Sequence, residues 1–539
     1  MAAAAITEPR YPIIYVRGYA GRDADVEETV ADPYMGFNLG STKLRQLWTG
    51  DVERYYFESP VVRLMKDFQY RDIYSEGLDL TESDKVHPRC IVIYRYYDKI
   101  SDDFSDDSAG TMEEFATGLG ELILQLRERL DVDENERKQF RVYLVGHSMG
   151  GLVIRCFLQN RKLGDGETRR KMTEARQLVD KVFTYATPHN GIEAKIIGNV
   201  SGFFSENGRR NFNRTRMAEY LDLPKKTTSV NTLADRFDPD RFFCLVGTNP
   251  RDYTVAQGWS SRVVGPYSDG LVRINNAVVH GPTGDPESPT KLGPRAYVYR
   301  SHSGHYGIVN SEEGYQNLTR FLFGDIRVDG VLDVEELTLP SDVERELNKG
   351  REVNASYHFE CITRVRGATW DLSRRVASEH STVFRTFGEL FPKRSSHPEI
   401  DRPHHRRPEL FTTYLNADAR VEMRRASLGF AVEIGVLVPE YEVAGRFWAK
   451  NHYPGGYIFR EKFTLEASPP RGEEASWRLR YGVDRVTPNR STRGLEPEYE
   501  HEATSEAAAG GLVFRIPVVQ KRQPGIKAML ELTARPWNT

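Results

Sequence analysis

The chain has 539 residues, more than a single hydrophobic core usually serves, so two sizeable domains are expected. Hydrophobic residues at 39% and charged residues at 28% describe a soluble globular protein, and a formal net charge of −3 gives no basic footprint for a nucleic-acid partner. The cysteines Cys90, Cys156, Cys244 and Cys361 are far apart, which excludes a disulfide framework and any metal-type spacing; the first three sit in apolar runs and read as core. The N-terminal MAAAAITEPRYP has no basic region followed by an apolar stretch, and no run approaches the roughly 18 apolar residues of a membrane span. A cytoplasmic location is therefore expected, with signal-independent export left open.

Tyr11 to Val16 reads as a short buried strand, followed by Arg17, Gly18 and Tyr19. Residues 21–87 form a long insertion before the next core strand, Cys90 to Tyr97. Asp102, Asp103, Asp106 and Asp107 carry oxygen ligands of the kind Ca²⁺ prefers, but the spacing lacks the glycine and glutamate of a calcium loop, so a solvated loop is the better reading and no metal is expected. Thr111 to Leu130 repeats apolar residues at Phe115, Leu119, Leu122, Ile123, Leu126 and Leu130, which is helical periodicity. Strands and helices thus alternate, and the expected fold is a mostly parallel, doubly wound α/β sheet covered on both faces.

The chain is organised around Arg141 to Gly151, RVYLVGHSMGG. A buried strand stops at Gly146, a helical pattern begins after Gly151, and between them stands G-x-S-x-G with Ser148 at its centre. A nucleophile elbow needs this context: glycines flank a turn too tight for side chains, and the helix start behind the serine offers unpaired N–H groups to an oxyanion. With GHSMGG the sequence resembles the lipases and esterases of the α/β-hydrolase superfamily over about residues 11–325. The segment Arg63 to Leu80 is similar to one in lipases related to lecithin:cholesterol acyltransferase. The turn TPHNG, residues 187–191, also resembles lipase-like members.

The resemblance implies roles for particular residues. Oxyanion donors would be the backbone N–H groups of Tyr19 and Met149, although Arg17 stands where the family usually has histidine. Residues 192–240 would form a helical lid, apolar at Ile196, Ile197, Val200, Phe203 and Phe204. Ser-Asp-Gly-Leu-Val at 268–272 would be the acid loop, making Asp269 the triad acid, with Asp252 as fallback. After the last strand, Arg295 to Arg300, two histidines compete for the base: His305 is preferred for the apolar cluster that follows it, and His302 is the alternative. His189 comes too early for the Ser, Asp, His chain order and reads as a wall or mouth residue.

Residues 326–341 turn polar and read as a linker. Beyond them, alternation such as Val353, Ala355, Tyr357, Phe359 and Ile526, Ala528, Leu530, Leu532 predicts a β-sandwich-like domain over 342–539, with Leu428 to Val438 as a central strand. Lys393 to Arg407 is basic and histidine-rich, suited either to a solvated loop or to transient contact with an anionic lipid surface. The expected activity is hydrolysis of carboxylic esters, lipid-like acyl esters foremost, without a cofactor. The alternatives are acyl transfer by the same residues, or a binding or scaffold protein acting through the β domain.

Overall fold

The structure is a computed structural model that describes residues 10–18, 41–46, 51–73, 85–94, 96, 110–193, 210–225, 227, 229–251, 267–282, 290–304, 307–395, 401–416, 427–444, 450–469, 476–485, 501–508 and 510–538. It divides into two compact units. The first takes 1–284, 290–295 and 300–318, and the second takes 285–289, 296–299 and 319–539.

The first unit opens with β1 (Ile13–Val16), fully buried. The insertion carries a hairpin of β2 (Ser41–Gln46) and β3 (Val52–Phe57), then helix α1 (Pro60–Phe68), capped by the Ser59 hydroxyl. It ends in β4 (Arg71–Asp72), which joins the edge of the main sheet beside β5 (Cys90–Tyr94). Helix α2 (Met112–Arg129) starts at a capping box: the Thr111 hydroxyl accepts from the Glu114 N–H, and the Glu114 carboxylate accepts from the Thr111 N–H. Its apolar face, Phe115, Leu119, Ile123 and Leu126, is the one the periodicity predicts. There follow α3 (Glu134–Lys138), β6 (Val142–His147), α4 (Met149–Gln159), α5 (Gly166–Gln177), β7 (Val179–Tyr185), α6 (Arg214–Tyr220) and β8 (Phe242–Gly247), and then β9 (Arg295–Val298) and α7 (Glu312–Phe323), whose residues are divided between the two units.

The sheet order is β4-β5-β1-β6-β7-β8-β9. The pairings β4–β5, β5–β1, β1–β6, β6–β7 and β7–β8 are all parallel. The chain starts in the middle, runs to one edge, then returns across β1 to build the other half. That puts a topological switch between β1 and β6, where open α/β sheets bind ligands beyond the carboxyl ends of the strands. Ser148 follows directly on β6 at that point. The fold is thus an α/β-hydrolase-type sheet. Cys90, Cys156 and Cys244 are buried free thiols, as is Cys361 in the second unit.

Of the expected lid, 194–209 lies outside the described residues, as do Asp252 and the aspartates of 102–107. The helix α6 within that region buries Met217, Ala218 and Tyr220.

The expected linker is a correction. Residues 326–338 form strand β10 (Ile326–Thr338), and α8 (Ser341–Asn348) begins soon after. Val328, Leu332, Val334 and Leu337 are buried while Asp329, Asp333, Glu335 and Glu336 are not, so the polarity that suggested a linker is the solvent side of a strand.

The second unit continues with β11 (Val353–Val365), β12 (Ser373–Arg375), β13 (Val383–Thr386), β14 (Glu409–Leu415), β15 (Leu428–Ala444), β16 (Lys450–Ser468), β17 (Arg478–Arg485), β18 (His501–Glu502), β19 (Thr504–Ala508), β20 (Gly511–Gln520) and β21 (Gly525–Pro536). They make two antiparallel sheets. One is ordered β14-β10-β21-β20-β19. The other is ordered β12-β11-β15-β16-β17-β18, with β13 also on β11. In the first sheet β10 pairs with β21, from Ile326 opposite Pro536 to Thr338 opposite Gly525. One hydrophobic cluster draws on both sheets, including Leu332, Phe359, Val432, Ile434, Phe463, Ile516 and Leu530. In the basic stretch near 400, Arg394 pairs with Glu344, Arg406 with Asp401, and Arg407 with Asp333 and Glu531. Those arginines act as structural cross-links.

Candidate active site

Strand β6 is buried along its length to Gly146 and ends at an abrupt reversal. Ser148 has φ 52° and ψ −123°, a conformation side chains rarely adopt, and it immediately precedes α4. The surrounding glycines are sterically required. A Cβ on Gly150 would lie 2.1 Å from the Val16 carbonyl oxygen at the end of β1, and one on Gly146 would lie 2.8 Å from the Gly151 nitrogen. The Ser148 N–H donates to the Tyr185 carbonyl at 3.0 Å, so the elbow is bonded to β7 as well as packed against β1.

Ser148, Asp269 and His302 come together. The His302 Nε2 stands 3.0 Å from the Ser148 Oγ, and its Nδ1 stands 2.9 Å from the Asp269 Oδ2. All three are buried, Ser148 to 7%, His302 to 3% and Asp269 to 1% exposure. The Asp269 carboxylate is fully engaged: its Oδ1 accepts the N–H groups of Leu271 at 3.0 Å and Val272 at 2.7 Å. That leaves Oδ2 for the imidazole, which assigns the proton to Nδ1 and leaves the Nε2 lone pair facing the serine hydroxyl. Gly247, at the end of β8, makes room for the acid; a Cβ there would lie 2.8 Å from the Asp269 Cβ.

The histidine at this position is His302, the alternative to the expected base His305. His305 lies outside the described residues, while His302 is bound on every side. Its N–H donates to the Asp269 carbonyl at 2.9 Å, and the loop it begins is closed where the Ile308 N–H meets the Ser301 carbonyl at 3.0 Å. The placement depends on contacts with Asp269, far away in the chain, which no local pattern announces.

The sequence pattern assigns no role to His147 beyond its place in the elbow. Its Nε2–H donates to the His302 carbonyl oxygen at 3.0 Å, and the two rings lie 5.1 Å apart. Burial first, and the neighbouring His302 second, push its pKa down to about 3, so it is neutral over the working range. Gly18 approaches the same place: a Cβ on it would lie 3.0 Å from both the His147 ring and the Ser148 Cβ. Tyr19 lies outside the described residues. Met149 is the first residue of α4, a position whose N–H has no intrahelical acceptor.

His189, read as a wall or mouth residue, is instead fully buried. Its Nε2–H donates to the Thr184 hydroxyl at 3.1 Å, and its ring packs edge-on against Phe242. Burial, then the nearby Arg155 cation, holds its pKa well below 6.5. The unfolded chain takes up a proton on acidification that folded His189 refuses. This part of the stability is whole above about pH 6.5 and falls as the pH drops below it. Urea unfolding at pH 7.5 and pH 5 should show a smaller acid loss in His189→Gln than in wild type.

Arg155, on α4, is fully buried, and no carboxylate of the described residues is among the groups that act on its charge. Its guanidinium donates to the Gln159 Oε1 at 2.9 Å and to the carbonyls of His189, Val230 and Thr232 at 2.7, 2.7 and 2.9 Å. It ties the helix behind the serine to the segments of His189 and of Val230 to Thr232.

Among the described residues no group of three or more His, Cys, Asp or Glu could hold a metal ion, and no helix is long and apolar enough to cross a membrane.

Fold and site define an α/β-hydrolase-type domain, and comparison agrees on that class. Residues 87–267 match the family model described as the PGAP1-like alpha/beta domain, a span that includes Ser148 and ends before Asp269 and His302. No curated protein matches the chain. Among solved structures the chain is similar to the crystal structure of the Bacillus licheniformis lipase BlEst2 in its mature form. The identity is 14% and the TM-score 0.28, over 60% of this chain and 93% of that one, a likeness too distant to inform the site.

Proposed function

We propose that this protein is a serine hydrolase of carboxylic esters, with lipid-like acyl esters as its substrate class. The observation that carries the reading is the continuous hydrogen-bonded line from the Asp269 carboxylate through the His302 ring to the Ser148 hydroxyl, on a strained elbow at the sheet's switch point. In this scheme the Ser148 Oγ attacks the ester carbonyl carbon while the His302 Nε2 takes the hydroxyl proton. Asp269 stabilises the imidazolium that results. The tetrahedral oxyanion is held by the Met149 N–H at the helix start, with Tyr19 the expected second donor. The C–O bond to the alcohol breaks, and the alcohol leaves with the proton from Nε2. Water then loses a proton to His302 and attacks the acyl carbon, and the acid departs as Ser148 regains its proton.

A fluorophosphonate probe tests the nucleophile: stoichiometric labelling that maps to Ser148 is expected, and an unlabelled folded protein would defeat the reading. A series of p-nitrophenyl esters from short to long acyl chains tests the substrate class. Turnover that rises with chain length supports lipid-like esters, and a short-chain optimum restricts the enzyme to small ones.

His147 is a positioning residue in this scheme, since it fixes the backbone that carries the base. His147→Leu is expected to lower kcat roughly ten- to hundredfold with KM little changed, as misplacement of a catalytic group does. His147→Gln, which keeps a donor, should recover part of the loss. A change in KM alone would assign His147 to substrate binding instead.

A further inference from the structure

The second unit contains a cavity that its own fold does not fill. Over most of their length its two sheets meet through one continuous hydrophobic cluster. Toward the start of β10 and the end of β21 they leave between them a volume of about 480 Å³, partly open to solvent. Pockets that take small organic ligands run from about 300 to 1,000 Å³. Val328, Phe514 and Leu532 line it from one sheet, and Phe430 and Leu479 from the other, each no more than 5% exposed. Trp477, just ahead of β17, lines it too. Protein interiors are normally packed to crystal density, and carbon-lined walls give water no hydrogen bonds. A space of this size and lining is suited to hydrocarbon.

The polar groups of the lining are few and lie at one end of the strands. Asp325 and Arg535 are among them, and Arg535, 37% exposed at its side chain, marks the mouth. Its Nη2 donates to the Asp329 carboxylate at 2.6 Å. Its Nη1 bonds to no described residue and is available to an oxygen at the opening. The lining therefore has the polarity of a single-chain amphiphile: a long apolar body, then one hydrogen-bonding head.

We propose that the cleft between the two sheets of the second unit is a binding site for one long acyl chain, with the tail between Phe430, Phe514 and Leu532 and the oxygen-bearing head at Arg535. The site belongs to the second unit and Ser148 to the first, so it does not depend on the hydrolase reading. A free fatty acid and an acyl ester share the tail chemistry and differ only at the head.

The probe is cis-parinaric acid, titrated into the full-length protein carrying Ser148→Ala so that turnover is excluded. Saturable one-to-one binding is expected, with Trp477 passing its excitation to the bound polyene. Ala467→Trp, which fills the cleft from β16, should weaken binding roughly tenfold or more while leaving ester turnover in the Ser148 background unchanged. Should that variant not fold, Trp477→Phe serves: energy transfer falls while binding persists. Arg535→Gln should weaken parinarate and spare its methyl ester if the head is a carboxylate, and weaken both alike if the head is an ester. No saturable binding, or binding and energy transfer untouched by both cleft variants, would overturn the proposal. So would a dimer in sedimentation that Ala467→Trp dissociates, which would give the cleft to a second copy of the chain.

Discussion

Ser148→Ala is expected to abolish ester turnover, by roughly 10⁴- to 10⁶-fold, with the unfolding midpoint unchanged. The side chain is small, and the Ser148 N–H bond to Tyr185 that holds the elbow belongs to the backbone. The sharper variant is Asp269→Asn. The Oδ1 of Asp269 receives two backbone N–H groups, so the amide oxygen of asparagine must take that place. The amide NH₂ is then forced toward the Nδ1 of His302. A donor there reverses the imidazole tautomer, puts the proton on Nε2, and removes the lone pair that would accept from Ser148. A loss of about 10⁴ in kcat is expected with little change in fold. His302→Ala should match it, whereas His305→Ala should leave turnover nearly intact. Turnover lost in His305→Ala and kept in His302→Ala would return the base to His305. All four variants are compared on one p-nitrophenyl ester, with urea unfolding beside each.

Arg155→Met is the second large effect, and it acts on stability. Methionine fills much of the same space but leaves three main-chain carbonyls and the Gln159 amide oxygen without the guanidinium. Thr232 retains a bond from the Gln159 amide, at 3.0 Å, while the carbonyls of His189 and Val230 are left without this donor. Each buried acceptor so exposed costs about 1–3 kcal/mol, and a total loss of about 3–5 kcal/mol is expected in urea unfolding. Burial already holds the Arg155 pKa down to about 10, a sign of how much its charge costs in this place. Arg155→Lys should recover little, because one ammonium cannot span the positions that the planar guanidinium reaches. A change within about 0.5 kcal/mol would mean that these carbonyls find other donors.

What the sequence disclosed follows from how local each signal is. The elbow is legible because its requirements fall within six residues: a strand that ends, two glycines that avoid Val16 and Gly151, and a helix that begins. The capping box at Thr111 and Glu114 is equally local. The choice between His302 and His305 is not, since it turns on a main-chain bond to Asp269 and a loop closed between Ser301 and Ile308. Residues 326–338 read as a linker because a strand with one wet face and short apolar residues on the other has that composition; its pairing with β14 and β21 lies far along the chain. Arg155 gave no warning either, as an arginine in a helical pattern is ordinarily on the surface.

The pairing of β10 with β21 sets a schedule for synthesis. The opening strand of the second unit waits for a partner that leaves the ribosome about two hundred residues later. Until then β10 has β14 on one side and an open edge on the other, with Val328, Leu332 and Leu337 uncovered. The first unit's sheet from β4 to β8 is complete in sequence well before that point. Nascent chains should therefore show a protease-resistant first unit while the second is still open to cleavage. A holdase that shields β10 would raise the yield of this protein more than one that acts on its first half.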